Sequence, residues 1–279
     1  MSGALRRPSA GARAAAVAGV YLVALSMAAP FVWMILTSLK PDGEALNGRL
    51  LPEGAWHWGS YAEAVRSARL DRFFTTSLLA AGLTTVLAGF FNALAGYVFA
   101  KMRFAGRTPA FGAVIATMLL PMQVFFIFAY LIAARLGFID NIQALVVPFL
   151  ASGFGIFYMR QAIAGVPDSL LEAGRLDGMG DLDLFWSVVM PSVRPALAAL
   201  AVFSFVNSWN NFFWPLVVCD RDESKTLTVA VAELAAGIYV QSWPVRMAAA
   251  TIITLPLLGV FLCFQRAFVQ GVAASGLKE

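Results

Sequence analysis

Charged and metal-binding side chains are scarce in this sequence. Only 13% of its 279 residues are charged, and it contains one histidine, His57, and two cysteines, Cys219 and Cys263. A soluble domain carries about 25% charged residues. The two cysteines are too far apart to form a metal-binding pair, and His57 has no second histidine to join it. The sequence therefore shows no metal site and no disulfide framework, and we expect no cofactor in this chain.

Catalytic motifs are missing as well. The dipeptide Gly-Lys does not occur, so the phosphate-binding loop G-x-x-x-x-G-K-[ST] is absent, and there is no H-E-x-x-H pair. The net charge of +4 is small, and most lysines and arginines lie at the ends of apolar stretches. That placement indicates membrane topology rather than nucleic-acid binding. We expect a protein that is not an enzyme by itself.

Long uncharged stretches dominate the chain, which is 60% hydrophobic. About 20 apolar residues cross a bilayer as a helix, and a helix satisfies all its backbone groups internally. The sequence predicts an all-α membrane protein with six transmembrane helices. The first stretch is too long for a cleaved signal peptide, so we expect a retained helix. The six uncharged intervals are Ala14–Leu39, Phe73–Ala100, Thr108–Ala134, Asn141–Met159, Pro195–Cys219 and Met247–Gln265.

The distribution of basic residues predicts the orientation. The short loop 101–107 contains Lys101, Arg103 and Arg107 and no acidic residue, which marks it as cytoplasmic. Both termini and segment 160–194 are then cytoplasmic, whereas loops 40–72 and 220–246 face outward. The expected parts are an N-terminal arm (1–13), a first helix (14–39), an outer loop (40–72), a core of five transmembrane helices (73–268) that includes the polar segment 166–192, and a tail (269–279). We assign the outer tryptophans, Trp56, Trp58 and Trp243, to the membrane interface in preference to a protein-docking surface.

Segment 166–192 is unusually polar for a connection between membrane helices. Pro167 and Ser169 begin a predicted helix, in which Ser169 and Glu172 have the spacing of a capping box. Gly178 is placed to end this helix, and a second helix is predicted from about Asp181 to Met190. Ala173 and Gly174 remove side-chain bulk, which allows another surface to approach closely. These residues leave two interpretations open, a docking site for a partner protein and an amphipathic helix on lipid headgroups.

The residues of this segment resemble the EAA motif of membrane subunits of bacterial ABC importers. Glu172-Ala173-Gly174, Gly178 and the run 188–191 (V-V-M-P) match its pattern E-A-A, G and I-x-L-P, with glycine, valine and methionine as conservative departures. Four further segments resemble the carbohydrate branch of these importers, of the maltose-permease type. They are LLPMQV at 119–124, FGIFYMRQ at 154–161, SWNNFFWPL at 208–216 and FQRAFVQGV at 264–272.

That resemblance implies a type I ABC importer permease fold in the bacterial inner membrane, with a cytoplasmic coupling helix. It also implies a second permease subunit, two ATPase subunits that bind ATP and magnesium, and an extracytoplasmic solute-binding protein. The tail is expected to contact the ATPase, with a disordered end as the alternative. The residues implied for ATPase coupling are Leu171, Glu172, Ala173, Gly174, Asp177, Gly178 and Pro191, and those of the tail are Gln265, Arg266, Gln270 and Gly271.

Polar residues in the fifth uncharged interval are candidates to line the path of a solute, and the sequence leaves this interpretation and a structural one open. Ser204, Asn207, Asn211 and Trp214 have the spacing of one helix face, and amides with an indole suit a sugar. The alternative is that they bond neighbouring helices to one another. Asn210, Asn92, Gln123 and Tyr130 are further candidates.

Two other functions compete with a neutral-carbohydrate permease. An ion-coupled secondary transporter usually keeps carboxylates inside its spans, and the six intervals contain no charged residue. An intramembrane enzyme requires a catalytic pair that this sequence lacks. We therefore favour the permease.

Overall fold

The computed structural model describes residues 10–67, 69–238 and 241–276. It is all-helical, and the described part of the chain contains no strand. The helices are α1 Ala10–Ser38, α2 Gly59–Ser67, α3 Leu70–Lys101, α4 Arg107–Thr117, α5 Phe126–Arg135, α6 Ile142–Val146, α7 Gly153–Ala164, α8 Asp168–Leu176, α9 Asp181–Leu184, α10 Met190–Ser192, α11 Arg194–Trp209, α12 Phe213–Val218, α13 Leu227–Ala235 and α14 Trp243–Gly276.

The described residues form two compact units. The first consists of residues within 1–68 and 234–252, and the second of residues within 69–233 and 253–279. In the first unit, the end of α1 is fixed by polar contacts. The hydroxyl groups of Ser38 and Tyr61 lie 2.7 Å apart, and the Nζ of the buried Lys40 donates a hydrogen bond to the carbonyl of Arg49.

Among the described residues, three helices are long and apolar enough to cross a bilayer. They are the stretches Arg13–Ser38, Leu70–Lys101 and Trp243–Cys263, and the number rises to five if each of two bent helix pairs is one span. The bent pairs are Ile142–Phe149 with Gly153–Ala164, at 49°, and Asp181–Ser192 with Arg194–Trp209, at 83°. Continuous helices were expected in the first, second and sixth uncharged intervals, and the structure confirms them. The total of six crossings stays a prediction.

The other three uncharged intervals are not single helices, contrary to the expectation. The third is broken between α4 and α5 around Pro121, and the fourth contains a 3-10 turn with Pro148 between α6 and α7. The fifth is interrupted between Trp209 and Phe213, just before Pro215. Proline lacks the N–H that continues a helix, and it disfavours helical backbone in the residue before it. Composition alone located the apolar residues but not these breaks.

Helix α3 is central in the second unit and packs against α7 and α11. Glycines allow the first of these contacts. A Cβ at Gly96 would lie 2.9 Å from both the Arg160 nitrogen and the Met159 Cβ, and a Cβ at Gly155 would lie 2.5 Å from the Asn92 Cγ. Small residues at a helix contact let two backbones approach closely. The buried core here also includes residues of the polar segment, namely Leu171, Leu184, Phe185 and Val189.

Candidate functional site

Helix α8 begins two residues earlier than a capping box at Ser169 requires, so the predicted capping box is wrong. Pro167 is the N-cap residue, with φ −59° and ψ 133°, and the helix starts at Asp168 without a side-chain cap. Ser169 therefore has helical backbone inside the first turn. A capping serine needs the extended conformation that Pro167 occupies instead.

The end of α8 agrees with the prediction. Gly178 has φ +83°, a conformation that residues with a Cβ rarely adopt. Its N–H donates to the carbonyl of Arg175 at 3.1 Å, and the Met179 N–H donates to that of Gly174 at 2.9 Å. These two bonds form a Schellman motif. The chain then turns into α9, followed by one π-helical turn over 185–189 that precedes Pro191.

Gly174 serves the packing of the segment against itself rather than an external surface. It is buried, and a Cβ there would lie 2.5 Å from the Leu184 Cδ2 and 3.2 Å from the Met179 Sδ. Leu171 is buried in the same core. The expectation that Gly174 lies open to another surface is therefore wrong, because α9 folds back over it. Five of the implied coupling residues remain on the outside, namely Glu172, Ala173, Asp177, Gly178 and Pro191.

Lys101 attaches α8 to the end of α3. Its ammonium donates hydrogen bonds of 2.6 Å to the carbonyl of Val166 and to the carboxylate of Asp168. The lysine side chain is only 7% exposed, whereas that of Asp168 is 75% exposed. The hydrogen bond from Lys101 holds the pKa of the Asp168 carboxyl below its ordinary value. A polar cleft of about 750 Å³ lies beside this pair, with Arg103, Arg107, Glu172, Arg175 and Asp181 in its lining.

Two exposed leucines stand out on the outer surface of the segment. Leu176 is 90% exposed and Leu182 is 67% exposed. Both lie among charged side chains, including Glu172, Arg175 and Asp181, so this surface does not resemble one that faces lipid tails. Sequence reasoning missed both leucines, since in the sequence they look like core residues. We call the outward side chains of α8, Gly178 and α9 the coupling surface.

The tail residues lie beyond the described side chains. The backbone of α14 continues as a helix to Gly276, which includes Gln265, Arg266, Gln270 and Gly271. Their side-chain positions lie outside the described part of the structure, as do residues 277–279. The predicted contact of the tail with an ATPase stays a prediction.

A second cavity, of about 460 Å³, brings together several of the predicted pathway residues. Gln123, Asn207, Asn210 and Asn211 all line it, although Gln123 comes from the third uncharged interval and the asparagines from the fifth. Its polar lining also includes Ser204, which was part of the predicted helix face, and three residues that sequence reasoning missed, Thr84, Ser152 and Ser208. Four phenylalanines also belong to the lining, Phe126, Phe149, Phe212 and Phe213, and no charged side chain among the described residues contributes to it. We call this space the polar cavity.

Three predicted pathway residues do not line the polar cavity. Asn92 is buried, where its amide donates to the Ala88 carbonyl at 2.7 Å and accepts from the Ser152 N–H at 3.0 Å. Trp214 is fully buried and donates from its indole to the Ala144 carbonyl at 2.8 Å. It leaves the predicted helix face because the helix ends at Trp209. Tyr130 packs against the core around Trp214.

A loop connection on the predicted outer side depends on Asp140. Its Oδ1 accepts hydrogen bonds from the N–H groups of Asp220 and Arg221, each at 2.8 Å, and from the Ser224 hydroxyl at 2.7 Å. The Arg221 N–H, followed by the Ser224 hydroxyl and the Asp220 N–H, lowers the pKa of this carboxyl against the opposing effect of burial. Asp140 has φ +61°, and sequence reasoning gave no indication of its role.

Comparison with known proteins identifies the family of this chain. Residues 92–274 match the family described as binding-protein-dependent transport system inner membrane component. The chain is 30% identical over 253 residues to the arabinooligosaccharides transport system permease protein AraQ of Bacillus subtilis, covering 89% of this chain and 90% of that protein. It is 30% identical over 246 residues to the lactose transport system permease protein LacG of Rhizobium radiobacter, covering 88% of this chain and 89% of that protein.

Two further similarities agree with this family. The sn-glycerol-3-phosphate transport system permease protein UgpE of Yersinia enterocolitica is 31% identical over 222 residues, covering 79% of this chain and 78% of that protein. The crystal structure of a bacterial ABC transporter involved in the import of the acidic polysaccharide alginate contains a chain of the same fold. The TM-score is 0.81 at 22% identity, over 94% of this chain and 99% of that one. The chain belongs to the binding-protein-dependent transport system inner membrane component family, the permease subunits of ABC importers.

Proposed function

We propose that this chain carries a neutral sugar through the inner membrane as one permease subunit of an ATP-driven importer. Similarity to permeases named for arabinooligosaccharide and lactose transport supports a sugar as the solute. The described lining of the polar cavity, which contains no charged side chain, supports a neutral one. The chain works with a second permease subunit, an extracytoplasmic solute-binding protein and two ATPase subunits. Those subunits bind ATP and magnesium, so this chain performs no catalysis itself.

The coupling surface is the observation that carries the proposal. It exposes Leu176 and Leu182 among charged side chains, on a segment whose opposite side is anchored in the core by Leu171 and Leu184. An apolar anchor within a polar rim is typical of a protein interface. The ATPase docks on this surface, and its closure on ATP moves α8.

Movement of α8 reaches the membrane helices through fixed contacts. Lys101 links α8 to α3, and Leu171 packs in the core that contains Tyr97 of α3 and Met159 of α7. ATP binding by the partner thus changes the relative stability of two arrangements of the helices, which produces alternating access. The polar cavity lies along the route of the solute.

The test of this proposal is a pair of substitutions on the coupling surface. Leu176→Asp and Glu172→Lys are expected to leave membrane insertion intact, to weaken ATPase attachment by about tenfold or more, and to abolish solute-stimulated ATP hydrolysis in the reconstituted importer. Gln161→Lys, exposed on α7 outside the coupling surface, is the control and is expected to behave as the unchanged protein. Normal solute-stimulated hydrolysis and uptake in both coupling variants would refute the docking role.

A further inference from the structure

We infer that the polar cavity is a binding subsite for an uncharged sugar within this subunit, and that the hydroxyl of Thr84 is one of its hydrogen-bonding groups. The inference rests on the proposed permease function and extends it. The chain then does more than form one side of the pathway, because it also binds the solute during passage.

Thr84 provides the first observation. It lines the polar cavity, it is only 3% exposed, and its Oγ1 has no hydrogen-bond partner among the described residues. Thr85, the next residue of α3, shows the ordinary alternative, because its hydroxyl donates to the Ala81 carbonyl at 2.6 Å. A buried polar group without a partner is costly, so the Thr84 hydroxyl favours any arrangement in which a donor or acceptor reaches it from the cavity side.

The amides of the polar cavity provide the second observation. The side chains of Gln123, Asn207 and Asn210 make no hydrogen bond to any residue that the structure describes. Residues that bond helices to one another would show such bonds, as Asn92 does with Ser152. The amides are therefore available to a ligand that offers both donors and acceptors.

The shape of the lining selects the class of ligand. Sugar rings have hydroxyl groups around their edge and apolar faces, and this cavity combines hydroxyl and amide groups with four phenylalanines. A volume of about 460 Å³ is within the range of small-molecule sites. An anionic solute would lack a cationic partner here, since no lysine or arginine that the structure describes lines the cavity.

The test uses a single reporter cysteine in the complete importer. Cys219→Ser and Cys263→Ser remove the native thiols, and Ser208→Cys places one in the cavity lining with little change in size. A membrane-impermeant maleimide is then applied to proteoliposomes, with or without a mixture of lactose, maltose and arabinobiose as the probe. The sugars are expected to slow the labelling, whereas sn-glycerol-3-phosphate is expected to have no effect.

Matched variants test Thr84 itself. Thr84→Val keeps the shape of the side chain and is expected to raise the sugar concentration for half-protection by roughly 2- to 10-fold, as for the loss of one hydrogen bond. Thr85→Val is the control and is expected to leave that concentration unchanged. Co-purification of the ATPase subunits with each variant confirms that the importer has assembled.

The outcomes separate this inference from the proposed function. Labelling without protection by the sugar mixture, equal protection by sn-glycerol-3-phosphate, or equal shifts for the two valine variants would overturn the subsite alone. A thiol at position 208 that never reacts would overturn both the subsite and the route of the solute. The role of the coupling surface is measured separately by ATP hydrolysis.

Discussion

At the scale of single residues, side chains of one type have different roles according to their surroundings. Asn92 is buried with its amide bonded to Ala88 and Ser152, whereas Asn207 lines a cavity with its amide unbonded within the described part of the chain. Gly174 allows α9 to pack closely, whereas Gly178 adopts the positive-φ backbone conformation that ends α8. The sequence presents each pair as equivalent, and only the neighbouring helices distinguish them.

Asp140 gives a prediction at this scale. Asp140→Ala removes the acceptor of three hydrogen bonds and is expected to expose the N–H groups of Asp220 and Arg221, with a local loss of about 1–3 kcal/mol. Asp140→Asn keeps one acceptor oxygen and is expected to have a smaller effect. Hydrogen exchange over 219–225 in the purified protein measures both, and equal exchange in all three proteins would contradict this role.

The effect of Asp140 also depends on pH. Its folded-state pKa lies below the ordinary value of about 3.9, so the carboxylate stabilises the folded loop fully above about pH 4. The stabilisation is lost as the pH falls through the lower folded-state pKa. The protection free energy of these amides, corrected for the pH dependence of intrinsic exchange, is therefore expected to differ by a constant amount between the unchanged protein and Asp140→Ala from about pH 5 to about pH 7. That difference is expected to shrink in stronger acid.

At the scale of elements, α8 is a short helix held by its inner side. Leu171 is buried in the core, Leu184 of α9 covers Gly174, and Lys101 holds Asp168 at the first turn. A helix of this length is not stable alone in water, so its position depends on these contacts. In the proposed function, this firm inner side transmits a force on the coupling surface to α3 and α7.

Gly174 gives the prediction for this element. Gly174→Val places a branched side chain against Leu184 and Met179 and is expected to destabilise the packing of α8 on α9 by about 1–3 kcal/mol, the usual cost of overpacking. Ala173→Val, at the exposed neighbouring position, is the matched control for helix propensity. Thermal unfolding of the purified variants provides the measurement. Equal stability of the two variants would show that α9 yields easily to a larger residue.

At the scale of the whole molecule, the pattern of apolar stretches predicts six crossings with both termini in the cytoplasm. Within its described residues, the structure contains three unbroken helices that are long and apolar enough to cross a bilayer, and up to five crossings if each bent pair is one span. The basic loop 101–107 remains the main argument for the orientation.

Two single cysteines test that orientation. In a background with Cys219→Ser and Cys263→Ser, a thiol from Leu182→Cys is expected to react with an impermeant reagent only when the cytoplasmic side is exposed. A thiol from Glu223→Cys is expected to react in intact spheroplasts. Both original side chains are exposed, so local burial does not prevent labelling. The opposite pattern would reverse the proposed topology.

The class of the protein and the position of its polar segment follow from the amino-acid sequence. Uncharged intervals specify membrane helices because an unpaired charge or backbone group is too costly in a bilayer, and this rule is local. Gly178 was identified as the helix end for a similar reason, since its conformation depends on few neighbours. The EAA resemblance then predicted which surface docks the ATPase, and that docking stays a proposal.

Only the tertiary structure shows which residues are exposed on the coupling surface and which line the polar cavity. Thr84 and Gln123 join the asparagines of the fifth interval only because three separate helical segments meet there, and Trp214 leaves them because its helix is interrupted. Leu176 is exposed and Leu171 is buried, although both are leucines of one short helix. Such assignments depend on contacts between distant parts of the chain, which periodicity and composition do not contain.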